Sequence, residues 1–141
     1  MGVWYELRRD IEGTKDQQTG ECTTAQYSLR DNGVVKVQNT EYFDYYGSNG
    51  GYGDIEGSAQ ISNFYEGILY VYFFAGFGGD YRIIDTDYSS YAIVYSCDDY
   101  ITAGLPINNF RSSWVLVRDK IEDGTTAFTN MMSTIDAIYK R

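Results

Sequence analysis

Apolar and polar residues alternate along most of this chain in short runs, each closed off by glycine, asparagine or aspartate. A period of two marks a strand with one buried face. Eight such runs follow one another: Trp4–Arg9, Cys22–Leu29, Val34–Asp44, Ile55–Ile61, Ile68–Phe74, Tyr81–Asp85, Tyr91–Cys97 and Phe110–Arg118. Arg30-Asp31-Asn32-Gly33 joins the second to the third. Asn-Gly between alternating segments is a hairpin cue, because both residues accept positive φ. Tyr45–Asp54, a loose stretch of Gly, Tyr and Asn, is expected as loop. After Arg118 the period changes. Phe128, Met131, Met132, Ile135, Ile138 and Tyr139 fall on one face of a helix, behind Thr125 as N-cap. The 141 residues contain no internal repeat and no linker, so residues 1–141 form one domain. The prediction is an all-β domain with one helix: an eight-stranded antiparallel up-and-down β-barrel with a C-terminal α-helix packed outside.

Composition agrees: one Pro, 15 Gly and 15 Tyr suit strands and tight turns better than a helical bundle. Eleven basic against 20 acidic residues give a formal charge of −9, which argues against nucleic-acid partners and an anionic membrane surface. No apolar run approaches the length of a membrane-spanning helix. Histidine is absent, which removes Ser–His and Cys–His nucleophilic pairs, histidine bases, and His-ligated haem or zinc. Asp98-Asp99 is expected in a solvated loop rather than a calcium site.

Three ordered motifs add a family resemblance: Gly2-Val3-Trp4, Thr86-Asp87-Tyr88, and Arg118 closing Ser113-Trp114-Val115-Leu116-Val117. Together with the helix pattern they resemble the lipocalins, barrels that bind small apolar molecules. The resemblance implies that Arg118 stacks across Trp4 at a closed end, and that Gly2, Trp4, Thr86, Asp87, Tyr88 and Arg118 are structural. With that anchor, strand parity points Phe110, Ser112, Trp114 and Leu116 inward. Leu69, Val71 and Phe73 face in, with Tyr70 and Tyr72 out. Tyr81 and Ile83 face in, as do Ala92, Val94 and Ser96, while Ile93 and Tyr95 face out to receive the helix. The resemblance also puts Ala25, Tyr27, Val35, Val37 and Asn39 inside, with Ile55 and Ala59 as further candidates. The implied lining is Tyr27, Val37, Asn39, Ile55, Leu69, Val71, Phe73, Tyr81, Ile83, Val94, Ser96, Phe110, Ser112, Trp114 and Leu116.

Gly20–Leu29, Thr86–Cys97 and Asn39 are similar to the branch that includes apolipoprotein D and the bilin-binding proteins. That branch implies a bilin, carotenoid, steroid, retinoid or fatty acid as ligand, and a secreted protein. Its members pair the cysteines corresponding to Cys22 and Cys97 with two others that this chain lacks, so two free thiols are expected. Met1 stands directly before the Gly-x-Trp motif, where family members usually carry a leader and a short segment; a trimmed or mature fragment is expected. The aromatic stretch Tyr42–Gly53 is either a sticky lip or a plain connection.

These observations leave three functions to weigh. The first is a carrier or store for a small hydrophobic ligand, not an enzyme. It requires no cofactor, and a chromophore or lipid is the candidate bound species. The second is an interaction barrel with a filled core, forming homo-oligomers through Tyr70 and Tyr72. The third is a lipid-modifying isomerase using Glu6, Glu41 or Asp85, which strand parity makes candidates for the lumen.

Overall fold

Each alternating run becomes a strand, and each strand pairs with the next until the last meets the first. The computed structural model describes residues 1–10, 21–44, 50–62, 67–73, 78–102 and 105–140, with residues 78, 98–102 and 105–110 described by backbone alone. Strands β1 (Gly2–Arg9), β2 (Glu21–Leu29), β3 (Val35–Phe43), β4 (Gly51–Ile61), β5 (Ile68–Tyr72), β6 (Gly78–Thr86), β7 (Tyr91–Thr102) and β8 (Leu105–Val117) close an antiparallel barrel. Helix α1 (Thr126–Tyr139) follows.

Several strands run further than alternation indicates. Gly51–Asp54, expected as loop, opens β4 because Gly51, Tyr52 and Gly53 pair with Phe43, Tyr42 and Glu41. Tyr42 and Tyr52 meet edge-to-face there, centroids 5.2 Å apart. Residues 45–49 of the aromatic stretch lie outside the described residues. Asp98 and Asp99 likewise belong to the β7 ladder, opposite Phe110 and Asn109, rather than to a loop. A neighbouring strand supplies backbone hydrogen bonds whatever the side chains are, so glycine-rich and acidic ends still pair.

Up-and-down connectivity gives the barrel two unlike ends. The C-terminal ends of β2, β4, β6 and β8 share one end with Gly2; those of β1, β3, β5 and β7 share the other. The first end is shut by Arg118, whose guanidinium carbon lies 3.8 Å from the Trp4 ring centroid. Arg118 Nη1 also donates to the Val3 carbonyl at 3.1 Å. Gly2 has φ +94°, and a Cβ there would meet that Nη1 at 3.0 Å. The glycine of the Gly-x-Trp motif thus makes room for the arginine.

Asp87 builds the β6–β7 turn at this same end. Its carboxylate accepts the N–H groups of Ser89, Ser90 and Tyr91 and the Ser90 hydroxyl. The Ser90 hydroxyl and the backbone donors hold that carboxyl well below its usual range. Thr86 Oγ1 accepts from Tyr88 N and donates to the Tyr91 carbonyl. At the β2–β3 hairpin, Gly33 takes positive φ (+81°). Asn32, expected to share it, instead accepts the Val34 N–H through its side chain at 3.1 Å.

Helix α1 starts at Thr125, whose Oγ1 accepts from Phe128 N at 3.2 Å. Its face buries Ile135 against Ile93 and Val115, with Leu7, Tyr91, Met131 and Ile138 around them. Arg8 lies 4.9 Å from the Phe128 ring centroid, so the helix runs along the β8–β1 side of the wall. Tyr91 therefore takes the place expected of Tyr95. The Tyr95 hydroxyl instead meets the Cys97 thiol on the outer face. No helix among the described residues is long and apolar enough to cross a membrane.

Candidate ligand-binding site

Inward parity converges on two linked clusters. Trp4, Ala92, Val94 and Leu116 pack with Tyr27, Tyr81, Ile83 and Trp114. Val35, Val37, Ala59 and Val71 pack with Tyr27, Leu69, Phe73 and Tyr81. Tyr27 and Tyr81 belong to both clusters and join them, their hydroxyls 2.9 Å apart in a shared hydrogen bond. Burial raises the pKa of both phenols, that of Tyr81 well above its ordinary value, so both stay neutral donors. Tyr81 also stacks on Trp114 at 6.3 Å. A Cβ on Gly57 would lie 2.6 Å from the Tyr72 carbonyl and 2.7 Å from the Phe73 ring, so a bare backbone lets Phe73 lie across β4.

Of the remaining expected positions, Asn39, Ile55, Ser96 and Ser112 fall on the same face. Asn39 stands between Ala25 and Ile55 on neighbouring strands, and Ser96 is opposite Ser112. Phe110 is opposite Asp98 in the ladder, and its side chain lies outside the described residues. Tyr70 and Tyr72 are 40% and 46% exposed, on the outside as expected. Cys22 and Cys97 are free thiols.

Nearer the other end, beyond the aromatic belt, lies a charged group that alternation only half reveals. Arg9 Nε donates to Glu6, and Arg9 Nη2 lies 3.5 Å from Glu41 Oε1. Arg9 Nη2 also donates to Thr23 Oγ1 at 2.5 Å, and Thr23 in turn donates to Glu41 at 3.4 Å. Strict parity from Trp4 would turn Arg8 inward. The register slips between Glu6 and Arg8, and the extra residue brings Arg9 in opposite Trp114. Thr23 shares the parity of Ala25 and Tyr27, a signal that was there to be used.

Glu6 and Glu41 are thus in the lumen, tied to Arg9. Asp85 is not. A second slip between Ile83 and Asp85 leaves Ile84 56% exposed and sets Asp85 opposite outward-facing Ile93. Its carboxylate accepts the Thr86 N–H at 2.8 Å. Burial raises the Glu6 pKa against the opposing pull of Arg9. Among the described residues, two interior polar atoms have no hydrogen-bond partner: Asn39 Oδ1 and Ser112 Oγ. No group of three or more metal-ligating side chains occurs among the described residues.

A closed eight-stranded barrel with its base shut by arginine on tryptophan, an inward apolar lining and one external helix defines a lipocalin architecture. The chain belongs to the lipocalin family: residues 1–137 match the model of the lipocalin-like domain. It is 37% identical over 124 residues to apolipoprotein D of Macaca fascicularis, covering 85% of this chain and 59% of that protein. The chain spans between half and three-fifths of the length of the apolipoprotein D relatives it matches. Lobster apocrustacyanin A1 superposes with a TM-score of 0.67 at 25% identity, covering 99% of this chain and 68% of that one. Insecticyanin of the tobacco hornworm Manduca sexta shares the fold, with a TM-score of 0.69 at 24% identity over 99% and 69% of the two chains.

Proposed function

We propose that this chain holds a small hydrophobic molecule inside its barrel, to carry or store it, and performs no chemistry on it. One observation carries the reading. Tyr27, Tyr81, Ile83, Trp114, Leu69, Phe73, Ile55 and Asn39 all face inward, yet each is only half-buried. In a core packed at ordinary density, inward side chains keep almost no accessible surface. These side chains are mostly apolar with a few hydroxyl and amide groups, the composition of a small-molecule site, which supports a lumen left open to a ligand.

The carboxylates needed for an isomerase do not favour that alternative. Glu6 and Glu41 hold Arg9, and Asp85 faces away. We place the protein outside the cell, the setting of its branch of the family. Its ligand then belongs to the bilin, carotenoid, steroid, retinoid or fatty-acid range, and outward Tyr70 and Tyr72 offer a surface for self-association.

Titration with N-phenyl-1-naphthylamine, a neutral apolar dye, tests the reading. Saturable quenching of tryptophan emission is expected near one dye per barrel. Asn39→Trp fills the lumen and abolishes the saturable phase, whereas outward Tyr70→Trp preserves it. Quenching no stronger than that of free tryptophan contradicts the proposal.

A further inference from the structure

Resting on the carrier reading, we infer that the ligand bears an uncharged carbonyl oxygen, which parts Tyr27 from Tyr81 and accepts a hydrogen bond from each. Topology is the first observation. In the closed order of eight strands, β2 and β6 are four apart in either direction, so Tyr27 and Tyr81 reach toward each other from opposite walls. Their hydroxyls meet 2.9 Å apart. Inward side chains from facing walls can touch only within the lumen, so both hydroxyls lie there, close enough for one ligand atom to reach both. Each tyrosine packs on both apolar clusters, and Trp114 stacks on the Tyr81 ring at 6.3 Å. These contacts hold the two phenols as a bar across the barrel.

The second observation is a count of protons. A phenol hydroxyl has one proton to donate and also accepts. Between Tyr27 and Tyr81 one proton is used, whichever residue donates it. The other is spare: neither hydroxyl has a further hydrogen-bond partner among the described residues. Burial keeps both phenols protonated, so the spare donor is present at neutral pH. Polar groups inside native proteins are nearly always paired, and this one calls for an acceptor.

The bond count separates ligand classes. A carbonyl oxygen has two lone pairs and no proton. Set between the hydroxyls it accepts from both, so one bond breaks and two form. A methylene group pushed into the same place breaks the bond and leaves two protons unpaired. An alcohol oxygen accepts from both phenols but brings a third proton that needs an acceptor of its own. Of the three, only the carbonyl leaves no donor unsatisfied. The ligand's apolar body then packs against the two clusters that flank the bar.

Displacement of N-phenyl-1-naphthylamine by 2-nonanone and by nonane, which share a carbon skeleton, tests the inference as a ratio of ketone to hydrocarbon affinity. Comparing that ratio between variants cancels the unequal cost of taking the two ligands out of water. Tyr27→Phe and Tyr81→Phe each keep the ring and remove one phenol proton. Each is expected to lower the ratio by about two- to twelvefold, the net range of one neutral hydrogen bond, and the double variant by both factors. In the single variants nonane binds tighter, because no bar has to be broken, while 2-nonanone stays within about twofold. The infrared carbonyl stretch of bound 2-nonanone rises in frequency at each step. A ratio unchanged in both single variants overturns the inference and leaves the carrier reading standing. A fall in only one overturns it too, since two phenols would not share the oxygen. Saturable dye binding that neither ligand displaces also overturns the inference alone, whereas dye binding that never saturates overturns the carrier reading with it.

Discussion

Arg9→Met is expected to destabilise the barrel by about 3–5 kcal/mol at neutral pH, the usual cost of leaving one side of a buried ion pair without its partner. The side chains of Arg9, Glu6 and Glu41 are 12%, 11% and 9% exposed, so solvent screens them little. The loss depends on pH with a definite sign. Burial already raises the Glu6 pKa, and Arg9 pulls it back. Without Arg9, only burial and the Glu41 charge act, and both raise it. A carboxyl whose folded pKa lies above its unfolded value folds best protonated. The loss is therefore greatest at neutral and alkaline pH and shrinks as pH falls toward the ordinary value of 4.5. Urea unfolding of the variant at pH 8 and pH 5 measures this; an equal, small loss at both contradicts a buried network.

Ile135→Ala is expected to cost about 2–5 kcal/mol, the range for truncating a buried isoleucine. Ile135 is 1% exposed and meets Ile93, also 1% exposed, and Val115. It is the one fully buried residue of a 14-residue helix, and a helix of that length is marginal in water without tertiary contacts. Hydrogen exchange should lose protection first across α1 and later in β7 and β8. Ser133→Ala, on the exposed side, should stay within about 0.5 kcal/mol. Equal effects from the two substitutions would show that α1 does not depend on this contact.

The legible and illegible parts of this molecule separate along one physical line. Alternation separates the two faces of a strand, so Leu69 and Val71 part from Tyr70 and Tyr72 on their own pattern, whereas Val35, Val37 and Leu116 are placed inward by the family resemblance that anchors their strands. Helix spacing and Thr125 likewise mark α1. A bulge leaves no trace in alternation, because one extra residue shifts everything beyond it. Alternation therefore misses Arg9 and turns Asp85 to the wrong face. Strand ends such as Gly51–Gly53 and Asp98–Asp99 were illegible for a different reason: their pairing is supplied by a partner strand rather than by their own side chains. The contacts among Glu6, Arg9, Thr23 and Glu41 depend on both effects together, so the polar part of the lumen was the hardest to foresee.

The central claim is that the lumen of this barrel holds a small apolar molecule. A native mass spectrum and an absorption spectrum of the protein from its natural source test it most directly. The expected result is one non-covalent adduct per chain, of small-molecule mass, released when the barrel unfolds. A chain that leaves its source without an adduct, and takes up none from a total lipid extract, would contradict it.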